Sequence, residues 1–431
     1  MKKIVDVCTR VEGHGSVNIF LEKEQISDVN FEIQAFRGFE NILKEKQIND
    51  VPKLASRICG LCHASQSIAS CKAIEDLYKE KPSDNTIIMR RLIMTGELLR
   101  SHSTFLFYQA LPDLLNLFEI TQQIPSPYDL INFDPQLTTN FFDLVKFGTE
   151  IDRILGGRSI HPINTVPGGF INQPTQKELD LVNKYLRKGL LSLDYIINKY
   201  RELFSKLKPP EVFNIPNPSY LALHNYGTYD RYSGIVGLKN NGNELKNFMK
   251  ENYMNYFDKD IGLPGINLQG IQNIIVGPLA REKVTKNNQN EKLAEYRAQF
   301  GEYWEQNILN GNLIRLLEMY SEVESGLKLL SNLDLAKKEN LISLDTLEKS
   351  DGIGIIEAPR GILIHHYNVN DEHQLREAKL LIATEFNIPL INTMITNYAQ
   401  KLYEKESLSS IKKKVQVIIR AFDPCISCAT H

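Results

Sequence analysis

The chain has 431 residues, 42% of them hydrophobic and 24% charged, with a formal net charge of -2. That balance describes an ordinary globular protein and carries no footprint of a nucleic-acid or acidic-substrate partner. The N-terminus, Met1-Lys2-Lys3-Ile4-Val5-Asp6-Val7, lacks a long apolar core, and no later stretch supplies the ~18 uncharged residues of a membrane span, so neither an export signal nor a direct span is expected.

In chain order, the first segment alternates apolar and polar positions, as in Ser16-Val17-Asn18-Ile19-Phe20-Leu21 and Asp28-Val29-Asn30-Phe31-Glu32-Ile33. Period two predicts an antiparallel hairpin or small sheet over residues 1–36. Helix formers with apolar spacing of three and four then run from about Pro52 to Lys81, Asn85 to Ile120, Thr175 to Leu207, Glu291 to Leu333 and Glu372 to Glu404. Residues 52–207 and 290–405 are therefore expected to form a helical core. Residues 208–284, rich in Pro, Gly, Asn and Tyr, read as irregular structure packed on the surface of that core. A second β patch is expected at Gly352 to Val369 and Val415 to Ala421. With no internal repeat and no break in composition, the fold class is mainly α with small β patches, a single large α-rich domain built on a central helical bundle.

Two Cys-x-x-Cys pairs stand near opposite ends of the chain, in Arg57-Ile58-Cys59-Gly60-Leu61-Cys62 and in Asp423-Pro424-Cys425-Ile426-Ser427-Cys428-Ala429-Thr430-His431. A two-residue gap lets both sulfurs of a pair reach one metal, and thiolate is the soft ligand that zinc, iron–sulfur clusters and nickel favour. Structural zinc and rubredoxin-like iron usually join such pairs across a short loop in a small domain. A chain this long buries its own core without a metal, which favours a working centre and makes 410–431 a metal-binding segment. Cys8 and Cys71 are left over, fit a reducing compartment, and read as buried core residues.

The forms Arg-x-Cys-Gly-x-Cys and Asp-Pro-Cys-x-x-Cys-x-x-His resemble those of the large, catalytic subunit of nickel–iron hydrogenases, and the resemblance runs over essentially the whole chain. It implies that family's large-subunit fold and reversible heterolytic cleavage of H2 to protons and electrons. It also implies nickel held by Cys59, Cys62, Cys425 and Cys428, with Cys62 and Cys428 bridging to an iron that carries cyanide and carbon monoxide. Cys59 and Cys425 would then be terminal thiolates and Cys425 the first proton acceptor. Glu12, in Arg10-Val11-Glu12-Gly13-His14, matches the family's proton gate, although by itself a Glu in a Gly-flanked turn reads as solvent-exposed. Arg360, after Pro359 in Glu357-Ala358-Pro359-Arg360-Gly361, would face the metals, with Asp113 and Asp423 holding its fork and compensating its charge. Outside this motif Arg360 would read as a surface salt bridge.

By the same resemblance, His431, Glu40 and the backbone carbonyl of Leu380 would bind a magnesium or iron ion, with waters completing an octahedron. His161 matches a segment that faces the partner subunit, where a structural role and an electron-transfer role are both open. Gln66 departs from the pattern, since many relatives have His four positions after the second cysteine; Gln can donate to a bridging sulfur but cannot carry charge. Too few cysteines remain for an iron–sulfur wire, so an iron–sulfur small subunit is the expected obligate partner, with further electron-transfer subunits beyond it. The segments 357–367 and 427–431 look most similar to the cytoplasmic, reversible branch (coenzyme F420-reducing, F420-non-reducing or NAD-reducing), whose partners serve a flavin, a deazaflavin or nicotinamide. The ending at His431 corresponds to a processed chain or to one that needs no processing. Two other classes stay open: a dihydrogen sensor, and a metal-free quinone-binding homologue, the latter disfavoured by the retained cysteines.

Overall fold

Alternation at the N-terminus has the expected outcome: Lys2–Cys8, Gly15–Glu22 and Gln25–Ile33 form an antiparallel meander. Its last two strands turn through Lys23 and Glu24, both at positive φ (49° and 63°), the pairing that matches strand twist in a two-residue hairpin. Val17, Ile19, Val29 and Phe31 are buried on its inner face. The helix Ala383–Leu402 covers the outermost strand, where Phe31 N–H donates to Asn392 Oδ1 at 2.9 Å and Thr396 Oγ1 donates to Val29 O at 2.9 Å. The computed structural model describes residues 2–33, 38–121, 126–205, 207–240, 245–259, 265–268, 270–285, 294–295, 306–334, 341 and 346–430.

The helical core is built on Asp84–Thr104, which packs against Pro135–Gly156 and Gly311–Ser331, with Gln176–Phe204 beyond. Local chemistry starts these helices: Ser83 accepts from Thr86 N–H, Asp134 from Leu137 N–H, and Thr175 forms a capping box with Glu178. Gly96 and Gly148 let two of the helices touch, since a Cβ on Gly148 would stand 2.3 Å from Gly96 O. The central helix runs on through a π-helical turn, Phe105–Ala110, into Leu111–Leu117. Across the molecule, His63–Leu77 lies on an antiparallel sheet of Asp351–Ala358, Gly361–Val369 and Leu375–Leu381. The fit is glycine-dependent: a Cβ on Gly352 or Gly354 would meet Ala73 O at 2.1 Å or Ala69 O at 2.0 Å. No helix among the described residues is long and apolar enough to cross a membrane.

Five expectations are corrected. The stretch expected as helix from Glu372 opens as the strand Leu375–Leu381, because pairing to Gly361–Val369 outweighs its helix propensity, and the helix begins only at Ala383. Val415 to Ala421, expected as strand, completes the helix Leu408–Ala421, whose buried Ile411, Val415, Ile418 and Ile419 follow helical spacing. Residues 208–284 are not irregular throughout: Ser219–His224, Ile235–Lys239, Leu245–Phe248 and Ile274–Ile275 form a four-stranded sheet with its own buried Leu221, Leu223, Val236 and Leu238. The helical stretches singled out within 52–207 omit one, the helix Pro135–Gly156. The expected helix from Pro52 to Lys81 breaks after Val51–Ala55 and a short turn, Ser56–Ile58. For the helix expected from Glu291, the described part is Gly311–Ser331.

A buried ion cluster ties the N-terminal sheet to the C-terminal helix. Asp113 accepts from Arg420 Nε at 2.6 Å and Nη2 at 3.1 Å, and also pairs with Arg10 Nη2. Arg420 Nη1 donates on to Thr9 O at 3.0 Å. Asp113, expected beside Arg360, therefore serves two other guanidiniums; the π-helical turn and the Pro112 start of its short helix aim it at the N-terminal strand instead. Nearby, burial pushes the Cys8 thiol up to about 12, as it does for Cys71, in keeping with core residues.

Replacing Asp113 by Ala strands two guanidiniums and is expected to cost about 3–5 kcal/mol, read as a lowered Tm. Gly354→Ala is expected to cost about 1–3 kcal/mol by forcing strand and helix apart. Gly189→Ala, in a helix with only Leu144 Cδ2 nearby at 3.8 Å, should raise stability by about 0.5–1 kcal/mol in the same melts.

Candidate metal centre

The break in the first expected helix is what exposes a ligand pair. After Ser56–Ile58 the backbone of Cys59 is extended (φ -147°, ψ 140°), and Cys62 precedes the first turn of His63–Leu77. Cys62 supplies no side-chain cap; the buried carboxylate of Glu97 accepts from Ala64 N–H at 2.7 Å and Ser65 N–H at 3.1 Å in its place. The second pair sits on a tight reversal, with Asp423 at φ 53° and Cys425 leading into the single turn Ile426–Ala429. Cys425 N–H donates to Thr384 Oγ1 at 2.9 Å.

These two loops bring four sulfurs within 4.8 Å of one another, each residue no more than 4% exposed. Cys62 pairs with Cys428 (2.7 Å), Cys59 with Cys425 (3.3 Å), and Cys425 with Cys428 (2.6 Å). Hydrogen bonds from Cys425, Cys428 and Cys62 hold the Cys59 thiol well below its usual range. Burial pushes Cys425 and Cys428 well above theirs. Cys62 receives hydrogen bonds from Cys425 and Cys428, yet Cys59 and burial outweigh them and it stands at about 11. Protein groups alone thus favour a single thiolate, and four ionised sulfurs here call for a multiply charged soft cation, which the donor set fits.

Beside the sulfurs lies Arg360, in the two-residue tip of the hairpin Asp351–Ala358/Gly361–Val369. It is 5% exposed. Its Nε donates to Asp423 O at 3.0 Å, Nη2 to Asp423 Oδ1 at 2.8 Å, and Nη1 to Ser101 Oγ at 3.2 Å. Burial opposes its charge, but Asp423 and then the sulfurs of Cys425, Cys59 and Cys62 outweigh that and keep it protonated. Asp423 is raised by burial despite Arg360 and Arg315. Arg315 was not legible in the sequence, where an Arg on a helix reads as a solvated face. It is buried with Nε 3.9 Å from Asp423 Oδ2 and its guanidinium 4.2 Å from the Phe105 ring centre.

Glu12 is half-buried rather than fully exposed. Its backbone bridges to Cys425, and its carboxylate accepts from Ser427 N–H at 3.0 Å and Ser427 Oγ at 2.5 Å. Gly13 (φ 86°) permits the approach, since a Cβ there would meet Ile426 Cβ at 2.7 Å. Gln66 is buried on His63–Leu77; its Oε1 accepts from His365 Nε2 at 2.7 Å, while Tyr367 Oη bonds His365 Nδ1 at 2.6 Å and Ser70 Oγ at 2.9 Å. His161 Nδ1 donates to Ser56 O at 2.8 Å, and its ring stands edge-on to His63, so it braces the first cysteine loop. Burial and then Arg100 push His63 down to about 2, so it stays neutral. Glu40 accepts from Leu380 N–H at 2.8 Å, which brings those two expected ligands together; His431 lies outside the described residues.

A family described as nickel-dependent hydrogenase matches residues 37–127 and 271–431, and one described as HoxL-like matches residues 4–36. The chain is 29% identical to an F420-non-reducing hydrogenase chain of Methanothermobacter thermautotrophicus, covering 100% of this chain and 95% of that one. It is 28% identical to the beta chain of NAD-reducing hydrogenase HoxS of Cupriavidus necator, covering 100% and 94%. The alpha chain of sulfhydrogenase 2 of Pyrococcus furiosus is 29% identical, covering 99% and 98%. Among solved structures, an NAD+-reducing NiFe hydrogenase in its H2-reduced state superposes with a TM-score of 0.92 at 27% identity over 100% of both chains. With the family match spanning more than half of the residues and the same fold recurring end to end in that enzyme, the chain belongs to the nickel-dependent hydrogenases.

Proposed function

We propose that this hydrogenase subunit holds nickel on Cys59, Cys62, Cys425 and Cys428, with Cys62 and Cys428 shared with an iron bearing cyanide and carbon monoxide. The observation that carries the reading is the dry cluster of four sulfurs, whose closest pairing across the two loops is Cys62 with Cys428. When bound, that centre polarises H2 and accepts its electrons. The protein's part is to move the proton and hold the surroundings dry. Cys425 Sγ is the first base, and Glu12, bridged to the Cys425 backbone and held by Ser427, takes the proton outward. Arg360 offers donors that stay charged at every working pH, Asp423 fixes its fork, and Pro359 rigidifies the tip beside it.

The contact between Glu40 and Leu380 supports a magnesium or iron site completed by the Leu380 carbonyl and His431. Electrons leave through an iron–sulfur small subunit. The NAD-reducing relative supports nicotinamide as the end of the acceptor chain, ahead of a flavin or a deazaflavin, and a cytoplasmic setting belongs to the same reading.

Metal analysis with infrared spectroscopy on the complex is expected to find about one nickel per chain together with cyanide and carbon monoxide stretches; zinc without those bands would return the cysteines to a structural role. Glu12→Gln is expected to keep nickel and bands while hydrogen–deuterium exchange falls by about 10²–10⁴-fold; exchange at the wild-type rate would remove Glu12 from the proton route.

A further inference from the structure

Arg360 sits on a hairpin tip, ordinarily a mobile and solvated place, yet here Arg360 is buried and its guanidinium is bonded to Asp423 and Ser101. The peptide that carries it is fixed by a second guanidinium. Arg281, 1% exposed on the short helix Pro278–Val284, donates from Nη1 to Ala358 O at 3.1 Å and from Nη2 to Pro359 O at 3.0 Å, the two carbonyls immediately before Arg360. The same guanidinium forks onto Glu318 (Nε–Oε1 2.6 Å, Nη2–Oε2 2.8 Å) and reaches Glu357 Oε2 at 2.7 Å. All five donors of one Arg are thereby committed.

Both carboxylates are themselves anchored. Glu318 also meets His102 Nε2 at 3.2 Å, and Glu357 Oε1 accepts from Leu223 N–H at 2.8 Å. Burial alone would raise Glu318, but Arg281 outweighs it and holds the carboxyl down at about 2, so the fork stays ionic at every working pH. The helix bearing Arg281 is locked onto the same tip by Gly277 (φ 99°), where a Cβ would stand 2.8 Å from Arg360 O.

We infer that Arg281 is a positioning residue for Arg360: by clamping the Ala358 and Pro359 carbonyls onto the Glu318–Glu357 pair, it sets where the Arg360 guanidinium stands relative to the four sulfurs. A Lys here could serve Glu318 and at most part of the carbonyl clamp, having no planar fork. The inference rests on the proposed nickel–iron reading of the sulfur cluster, and the test separates the two.

The test compares wild type, Arg281→Lys and Arg281→Met, each as the complex with its partner subunit, by nickel content, infrared bands of the diatomic ligands and hydrogen–deuterium exchange per bound nickel. Nickel is expected to be retained, the bands to shift in the order wild type, Lys, Met, and exchange to fall by about 10²-fold in Met. In an Arg360→Lys background, Arg281→Met should add no further band shift, because its effect passes through Arg360. Should the Met variant not fold, a shifted spectrum in Arg281→Lys supports the inference and wild-type bands there overturn it. A lowered Tm with unshifted bands and wild-type exchange, or band shifts that simply add in the double variant, also overturns it. Absence of nickel or of the diatomic bands in wild type would instead overturn the proposed function, and this inference with it.

Discussion

Four thiols from loops 366 residues apart in sequence share one dry pocket, and most of what is distinctive in this fold serves that juxtaposition. Without a cation the pocket favours neutral sulfurs: burial raises Cys425 and Cys428, Cys59 and then burial raise Cys62, and Cys59 alone is lowered by its neighbours. Four ionised sulfurs would need a cation to compensate them, so the scaffold alone must hold the neutral thiols together beforehand. That explains why both loops are braced from outside, by Glu97 at one helix start, His161 at Ser56, and Thr384 at Cys425.

Bringing the two ends together also demands ties of long sequence separation, which form late because loop-closure entropy opposes them. The N-terminal meander provides two. The connection between its first two strands runs beside Cys425–Ser427 through Glu12, with Gly13 allowing van der Waals contact, and the Arg10–Asp113–Arg420 cluster fastens the same connection to the last long helix. The Glu12 carboxylate, held by Ser427 N–H and Oγ, is a structural tie between this segment and the second cysteine loop.

The buried charges pair in compact sets, Arg360 with Asp423, Arg281 with Glu318 and Glu357, and Arg90 with Glu75, and the Arg281 guanidinium has every donor committed. Such sets add little net stability compared with well-packed apolar side chains. Their use here is geometric, since a guanidinium with every donor committed cannot drift, and a backbone carbonyl bonded to it cannot either. The pocket thereby acquires fixed dipoles of the kind that need no reorganisation when charge moves.

Much of this was legible in the sequence, because residue type and spacing carry chemistry directly. Two Cys-x-x-Cys pairs dictated a four-thiolate centre, the flanking Arg57, Asp423 and His431 made the pattern specific, and apolar periodicity placed the N-terminal sheet and most of the long helices. What the residues could not disclose was decided by tertiary packing. Leu375–Leu381 is a strand because a neighbour offers it an edge, and Asp113 serves Arg10 and Arg420 because a π-helical turn re-aims it. Arg281, in a stretch that read as irregular surface structure, and Arg315, on an expected helix, are buried only because the fold encloses them. Which cysteines come in pairs is local and legible in the sequence alone; the orientation of the groups around their sulfurs depends on contacts between segments hundreds of residues apart, and only the folded chain determines it.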